Sequence, residues 1–463
     1  MAKMISLFDT TSAADNRYYE PDVAHWVSPN GLTRAMLLVE LKHIEELHSR
    51  GLCPESALRE IRRACRRVMA EEVAEEEERL RHDIRALVAC IKKYTSDEAG
   101  KYVHHALTSM DVKITAEMYN YKQLFNRIVI PELVQLEQIL INLTLREADA
   151  VQIGRTHLQH AVPITLGFAL AEYVNRLGDC IVHLKTNVGE LRGKFSGATG
   201  SANALLLVLK QKEAVPAYEA GVLARLGLKP PIHSTQLPPA EPRVRLMGEI
   251  TTTAMVLYNL ADDIRLMCST EIGEVDQKSI SSGGSSAMGQ KINPQDYEKA
   301  SSLVREIIGK LVTVHLNQVS NFQRDLKDSA ATRTYPETIS YFVTIIRTLS
   351  KAMSTIQFDH EHMAENLLIT KGDVLTEAYK TLLVQVGCSD ADAIMRRVAK
   401  QAREEQRMLH EVALENTEVA PFLALMDTDD RKVLEHPRNY TGIAAEKTRQ
   451  TVKYWASKLK LAA

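Results

Sequence analysis

The sequence predicts an all-helical protein, three helical domains around a long central helical bundle. Turn-type residues are scarce: Gly 21 and Pro 15 are about 8% of the 463 residues against roughly 12% in an average protein. Aromatic residues are only 5%, and apolar residues recur at 3,4 spacing along several long stretches.

In chain order, residues 34–92 read as helices broken near 51–54, and the charged run EEVAEEEERLRHD over 71–83 reads as a solvated helix face. From about Asp111 the pattern becomes strongly periodic. Leu133, Leu136, Leu140 and Leu143 form one stripe, and Ile250, Ala254, Leu257, Ala261 and Ile264 a second. Val304, Ile307, Ile308, Leu311 and Val314 form a third. Such repeats pack helices nearly parallel. Pro131 and Pro163 are expected to start or kink helices, since proline suits a first turn better than an interior. Breaks at 195–203, 230–242 and 279–294, rich in Gly, Ser or Pro, read as loops. The last is either a linker or a mobile segment that closes over a ligand. After Phe358 the stripes weaken and shorter helices are expected over 373–386 and 391–414. The expected domains are therefore 1–110, 111–360 and 361–463.

Composition narrows the function. With 57 Lys+Arg against 59 Asp+Glu, the chain lacks the basic excess of a dedicated nucleic-acid binder. Small anionic ligands remain open, because a local basic pocket needs no net charge. The longest stretch without Asp, Glu, Lys or Arg, residues 156–171, is too short and polar to span a bilayer. The first twenty residues show no secretory signal pattern, so the cytoplasm is expected. Six scattered cysteines, without CxxC or a His/Cys cluster, read as reduced thiols, and no metal is expected.

Three polar clusters interrupt the helical pattern. In VHHALTSMDV, residues 103–112, Thr108, Ser109 and Asp111 stand where a helix begins; they either cap backbone N–H groups or hold an anion. In GRTHLQHAVPITLG, residues 154–167, Arg155, Thr156, His157, Gln159 and His160 crowd together; histidine suits acid or base work near neutral pH, or a structural role. In GSSAMGQKINP, residues 284–294, Ser285, Ser286, Lys291 and Asn293 follow a glycine pair. Neither a Walker A run nor a G-x-S-x-G elbow is present.

Taken together and in this order, the clusters are similar to those of the fumarase/aspartase superfamily. Within it the chain resembles the adenylosuccinate lyase family from about Arg17 to HPRNYTG at 436–442. GSSAMGQKINP resembles the superfamily signature, with Gly289 where the family usually has proline. Arg81, His82 and Asp83 are similar to a family motif that approaches the substrate. Arg17, Tyr18 and, in QRDLKDSAATR, Arg324, Ser329 and Arg333 resemble the family's phosphate pocket. Guanidiniums and a hydroxyl suit a phosphate dianion, the alternative being ion pairs with Asp325 or Asp328. Gln236 also matches, but the basic residue usual soon after it is replaced by Leu237, Pro238, Pro239, Ala240 and Glu241.

The resemblance implies a lyase that eliminates fumarate from adenylosuccinate, giving AMP, and from the succinylated imidazole carboxamide ribotide. It implies Ser285 as base, His157 as general acid, and His104 as a substrate-orienting or charge-balancing partner. Lys291 and Asn293, assisted by Thr108 and Ser109, would stabilise the carboxylate that gathers charge. Thr156 and Gln159 would shape the same wall. No cofactor is implied, and neither a nucleic-acid nor a membrane partner. A homotetramer with each site built from three chains is implied. Two alternatives stay open: the same chemistry on another succinyl or aspartyl adduct, and an inactive structural oligomer.

Overall fold

A computed structural model of the chain describes residues 10–280 and 287–462. Among these the architecture is all-helical, with one two-stranded sheet. The described chain separates into two units. One comprises residues 1–133, 180–255 and 302–347, the other 134–179, 256–301 and 348–463.

The predicted stripes lie on long helices. Leu133, Leu136, Leu140 and Leu143 line the helix Ile130–Arg146, and Ile250 to Ile264 line the helix Glu241–Met267; all are buried. The third stripe is broken. The helix Gln295–Gly309 ends at Gly309, a new one covers Leu311–Leu316, and Ile308 is exposed. Pro131 does not start a helix: it lies inside the helical run Ser109–Arg146, directly after a π-helical turn at Phe125–Val129 that interrupts the regular hydrogen-bond ladder next to the residue without an N–H.

Pro163 does not start or kink a helix. It lies in the second strand of an antiparallel hairpin, β1 (Val151–Thr156) and β2 (Gln159–Thr165), opposite Ile153. The polar cluster around His157 is thus a β-hairpin. The register shifts between Ile153 and Arg155, a bulge beside the proline that donates no ladder bond. Gly154 sits there because a Cβ would stand 2.6 Å from the carbonyl oxygen of Val162.

In the unit comprising 134–179, 256–301 and 348–463, a separate group of buried side chains runs from Leu375 and Tyr379 through Val398 and Val412 to Leu434. It belongs to the shorter helices Thr376–Gln385, Ala391–Glu404, Leu409–Glu415 and Thr428–Glu435.

The stretch Ser109–Arg146 is long and apolar enough to cross a membrane by length and composition. Its apolar side chains are nevertheless spent on the protein core: Leu124, Phe125, Val129 and Leu133 are fully buried. It also carries Glu137, fully buried, whose two carboxyl oxygens have no hydrogen-bond partner among the described residues. Burial pushes that acid up to about 9, so it is held uncharged.

The folded pKa is raised, so Glu137 favours folding fully below pH 4.5 and loses that contribution as pH rises toward 9. Glu137→Met should therefore gain stability over the parent on going from pH 6 to pH 8.5, by on the order of 3 kcal/mol. Denaturant unfolding at the two pH values measures this; an equal change at both would mean that the acid does not titrate there.

Candidate active site

In the unit comprising 1–133, 180–255 and 302–347, the helix Ser109–Leu124 begins at N-cap Thr108, as the cluster predicts. Asp111 accepts the Thr108 N–H at 2.8 Å. Its carboxylate, fully buried, also accepts from Lys194 Nζ at 2.5 Å, from the Ser196 N–H at 3.1 Å and from the Gly197 N–H at 3.2 Å. Lys194 is equally buried, so both charges depend on each other. One carboxylate thereby ties the segment carrying Thr108 and Ser109 to the loop at 195–203.

His82 is the N-cap of the helix Asp83–Lys93, its Nδ1 accepting the Arg85 N–H at 3.4 Å and its Nε2 lying 3.5 Å from Ser109 Oγ. The preceding Arg81 closes the helix Ala70–Leu80 in the left-handed conformation. Burial works to raise Asp83, but its ion pair with Lys113 more than reverses this and holds the carboxyl below its usual range. His104 pairs with Glu40 at 2.6 Å and lines a cleft with Arg79, Arg85, Lys92 and Ser109.

A cavity of about 900 Å³ lies within this same unit, in the size range of small-molecule sites. It is lined by Asp83 and by three of the predicted phosphate residues, Arg324, Ser329 and Arg333. Lys113, Glu117, Arg243 and Asp328 also line it. Arg17 is exposed and does not line it, although Ser12, Asp15, Tyr19 and Glu20 of the same segment do. Tyr18 packs edge-on against Tyr341. Gln236 is tied to the same region by its N–H, which donates to the Gln323 carbonyl at 3.1 Å.

Arg324 makes the ion pair that the sequence left open, its Nη2 standing 3.0 Å from Asp328. Its Nε is buried without a partner among the described residues, and burial pulls the guanidinium below its usual range. Arg243, absent from the sequence reading, is buried between Glu117 at 3.4 Å and Asp328 at 3.5 Å and lies over the Tyr335 ring. Burial opposes its charge, but these carboxylates and the tyrosines outweigh it. Arg243 comes seven residues after Gln236, so the first turn of the helix Glu241–Met267, which follows the loop that lacks the usual early basic residue, delivers a guanidinium to the cavity.

In the unit comprising 134–179, 256–301 and 348–463, His157 and Leu158 form a two-residue hairpin turn with φ of 54° and 59°. Such turns require φ > 0 at both positions, and usually carry Asn or Gly. Thr156, His157 and Gln159 are exposed at the tip. The hairpin is anchored at its base by Glu274, fully buried, which accepts from Arg155 Nη2 at 2.6 Å, Gln152 Nε2 at 2.6 Å and Asn366 Nδ2 at 3.0 Å. Lys291 is exposed and Asn293 half-buried. Ser285 and Ser286 lie outside the described residues. Among the described residues the six cysteines form no disulfide, and burial pushes Cys65 and Cys268 up to about 12.

The chain matches a lyase family over residues 25–309 and the adenylosuccinate lyase C-terminal family over residues 320–424. It is 32% identical to an adenylosuccinate lyase of Pyrococcus horikoshii, over 84% of each chain. It is 31% identical to that of Pyrococcus abyssi, over 95% of this chain and 97% of the relative. Among solved structures, the 3-carboxy-cis,cis-muconate lactonizing enzyme of Pseudomonas putida superposes with a TM-score of 0.84 at 25% identity, covering 96% of this chain and 98% of the other. A fumarate lyase from Mesorhizobium shares the fold with a TM-score of 0.83 at 21% identity, over 94% of this chain and 98% of that one.

Lys194→Met would strand the Asp111 carboxylate in the interior. It should lower stability by about 3–5 kcal/mol, the range for breaking one side of a buried ion pair. Pairing it with Asp111→Leu should restore much of the loss. Chemical denaturation of the two variants measures this, and a Lys194→Met protein as stable as the parent would contradict it.

Proposed function

The chain belongs to the adenylosuccinate lyase family of the fumarase/aspartase superfamily, and from that premise we propose that it eliminates fumarate from adenylosuccinate, giving AMP. By the same chemistry it acts on the succinylated imidazole carboxamide ribotide, both being steps of purine biosynthesis. The observation that carries the substrate class is the cavity in which Arg243, Arg324, Arg333 and Ser329 line one space. Seven carboxylates and four cations line that cavity overall, so a phosphate dianion is favoured only where the guanidiniums gather. The family resemblance adds Arg17 and Tyr18 to the phosphate end, although neither lines the cavity in the single chain, and it gives Arg81, His82, Asp83 and Gln236 to the rest of the nucleotide.

In the reaction, Ser285 removes the proton beside the succinyl carboxylate. Lys291, Asn293, Thr108 and Ser109 donate to the carboxylate on which charge accumulates. The carbon–nitrogen bond then breaks, and His157 protonates the departing nitrogen. His104 orients the substrate or balances its charge. A serine hydroxyl is a poor base in water, so Ser285 acts only among cationic and N–H donors within a closed site. The three-part division of the chain at 110 and 360 belongs to this reading. So does a cytoplasmic location, which the lack of disulfides among the described residues supports.

The active assembly is a homotetramer whose sites draw residues from three chains. An apolar row favours an oligomer: Ile308, Val312, Leu316, Val319 and Phe322 are all exposed, Phe322 at 94%.

Spectrophotometric turnover of both succinylated nucleotides, beside argininosuccinate and aspartate, tests the substrate class. Arg324→Ala and Arg333→Ala should each weaken AMP binding by about 1.5–3 kcal/mol and leave fumarate binding nearly unchanged. Equal losses for AMP and fumarate would remove the phosphate role.

Ser285→Ala and His157→Ala proteins should each be inactive. Co-assembled as hybrids confirmed by mass, they should regain part of the activity, because some mixed sites take both intact residues from different chains. Hybrids that stay inactive would show that the sites are not shared in this way.

A further inference from the structure

Glu40 lies in the helix Pro29–Ser49 with no exposed surface, among buried Val39, Ile44 and Leu47. A carboxylate on an apolar face is costly unless both oxygens are satisfied. Both are spent on one distant residue. Oε1 stands 2.6 Å from His104 Nδ1, and Oε2 accepts the His104 backbone N–H at 3.1 Å. The second bond holds a strained backbone, since His104 and Ala106 have φ of 59° and 62° without being glycine. With Nδ1 engaged, Nε2 is the ring nitrogen left for a ligand. His104 lines the cleft with Arg79, Arg85, Lys92 and Ser109.

We propose that Glu40 is a positioning residue: it holds His104 as an imidazolium with Nε2–H available to the cleft, so that His104 donates to a substrate carboxylate and does not accept a proton from substrate. The proposal rests on the reading above that His104 orients the substrate or balances its charge, and it joins the two in one charged donor.

The surrounding charges agree. On the same helix, His43 is kept neutral by burial, lowered to about 4. Its two ring nitrogens are taken by the Tyr218 hydroxyl at 2.8 Å and the His105 carbonyl at 2.9 Å. Cys65, from the helix Glu55–Arg67, is a protonated thiol. Asp111 favours a charged His104 but is itself matched by Lys194, and Lys92, from the helix Asp83–Lys93, opposes it. Burial is the largest influence and disfavours the cation, yet the Glu40 contact outweighs it, and His104 titrates above its ordinary 6.5. The cation therefore persists to higher pH than on a free imidazole and is lost as pH rises through that raised value.

The test compares full-length wild-type, Glu40→Gln, Glu40→Asp and His104→Gln enzymes in adenylosuccinate turnover between pH 6 and 9. Glu40→Gln keeps the side-chain shape but not the charge. Its kcat should fall ten-fold or more, and its alkaline limb should move down by at least one pH unit; Glu40→Asp should recover part of both. Glu40→Gln/His104→Gln should be no worse than His104→Gln alone. A Glu40→Gln enzyme with the wild-type limb and kcat, beside an impaired His104→Gln, overturns the proposal and leaves the role of His104 standing. Full activity in His104→Gln overturns both. Should Glu40→Gln fail to fold, succinate binding by wild-type and His104→Gln proteins across the same pH range reads the same charge. Affinity should weaken with rising pH only in the wild type, and an identical pH dependence in both overturns the proposal.

Discussion

A carboxylate withdrawn from water must be given partners, and in this protein three such carboxylates settle where the candidate chemistry stands. Asp111 ties the Thr108–Ser109 helix start to the loop at 195–203. Glu40 holds His104 through both ring and backbone. Glu274 anchors the hairpin that carries His157. Each is fully buried, and an unpaired ion there would cost several kcal/mol. Placing the segment and satisfying the charge are therefore one event. Glu137 is the contrast: with no partner among the described residues it stays protonated, and it positions nothing.

The cavity obeys the same rule with weaker bonds. Asp328 shares itself between Arg243 at 3.5 Å and Arg324 at 3.0 Å, and Arg324 Nε has no partner among the described residues. Such guanidiniums are held in place but incompletely satisfied. A phosphate that enters there gains two charged donors while Asp328 loses part of its hold on them. Net affinity is then the difference between two charge-assisted sets of bonds, smaller than either alone. Arg333, at the rim and exposed, carries no such competition from an ion pair among the described residues.

Strain marks the hairpin tip as well. His157 and Leu158 occupy left-handed backbone that neither side chain favours, at about 1–3 kcal/mol each. The ladder on one side of the turn and the Glu274 cluster at its base hold the turn against that cost. A histidine presented at the tip of so short a turn has little backbone freedom to relax.

The helical class, the long stripes and the start of a helix at Thr108 were legible in the sequence, because 3,4 periodicity and capping are local rules that neighbouring residues enforce by themselves. The polar clusters were legible as clusters for the same reason. The hairpin was not, since its turn is His-Leu where Asn-Gly would have signalled it, and Pro163 looked like a helix start. Arg243 was hidden because nothing near it in sequence distinguishes a buried guanidinium from a surface one. The long-range partners of Asp111, Glu40 and Glu274 lie at least 83, 64 and 92 residues away. Sequence alone thus determined which stretches become rods and which residue types could do the chemistry. Tertiary structure decided which charges are buried together, because desolvation acts only once distant segments have closed over them.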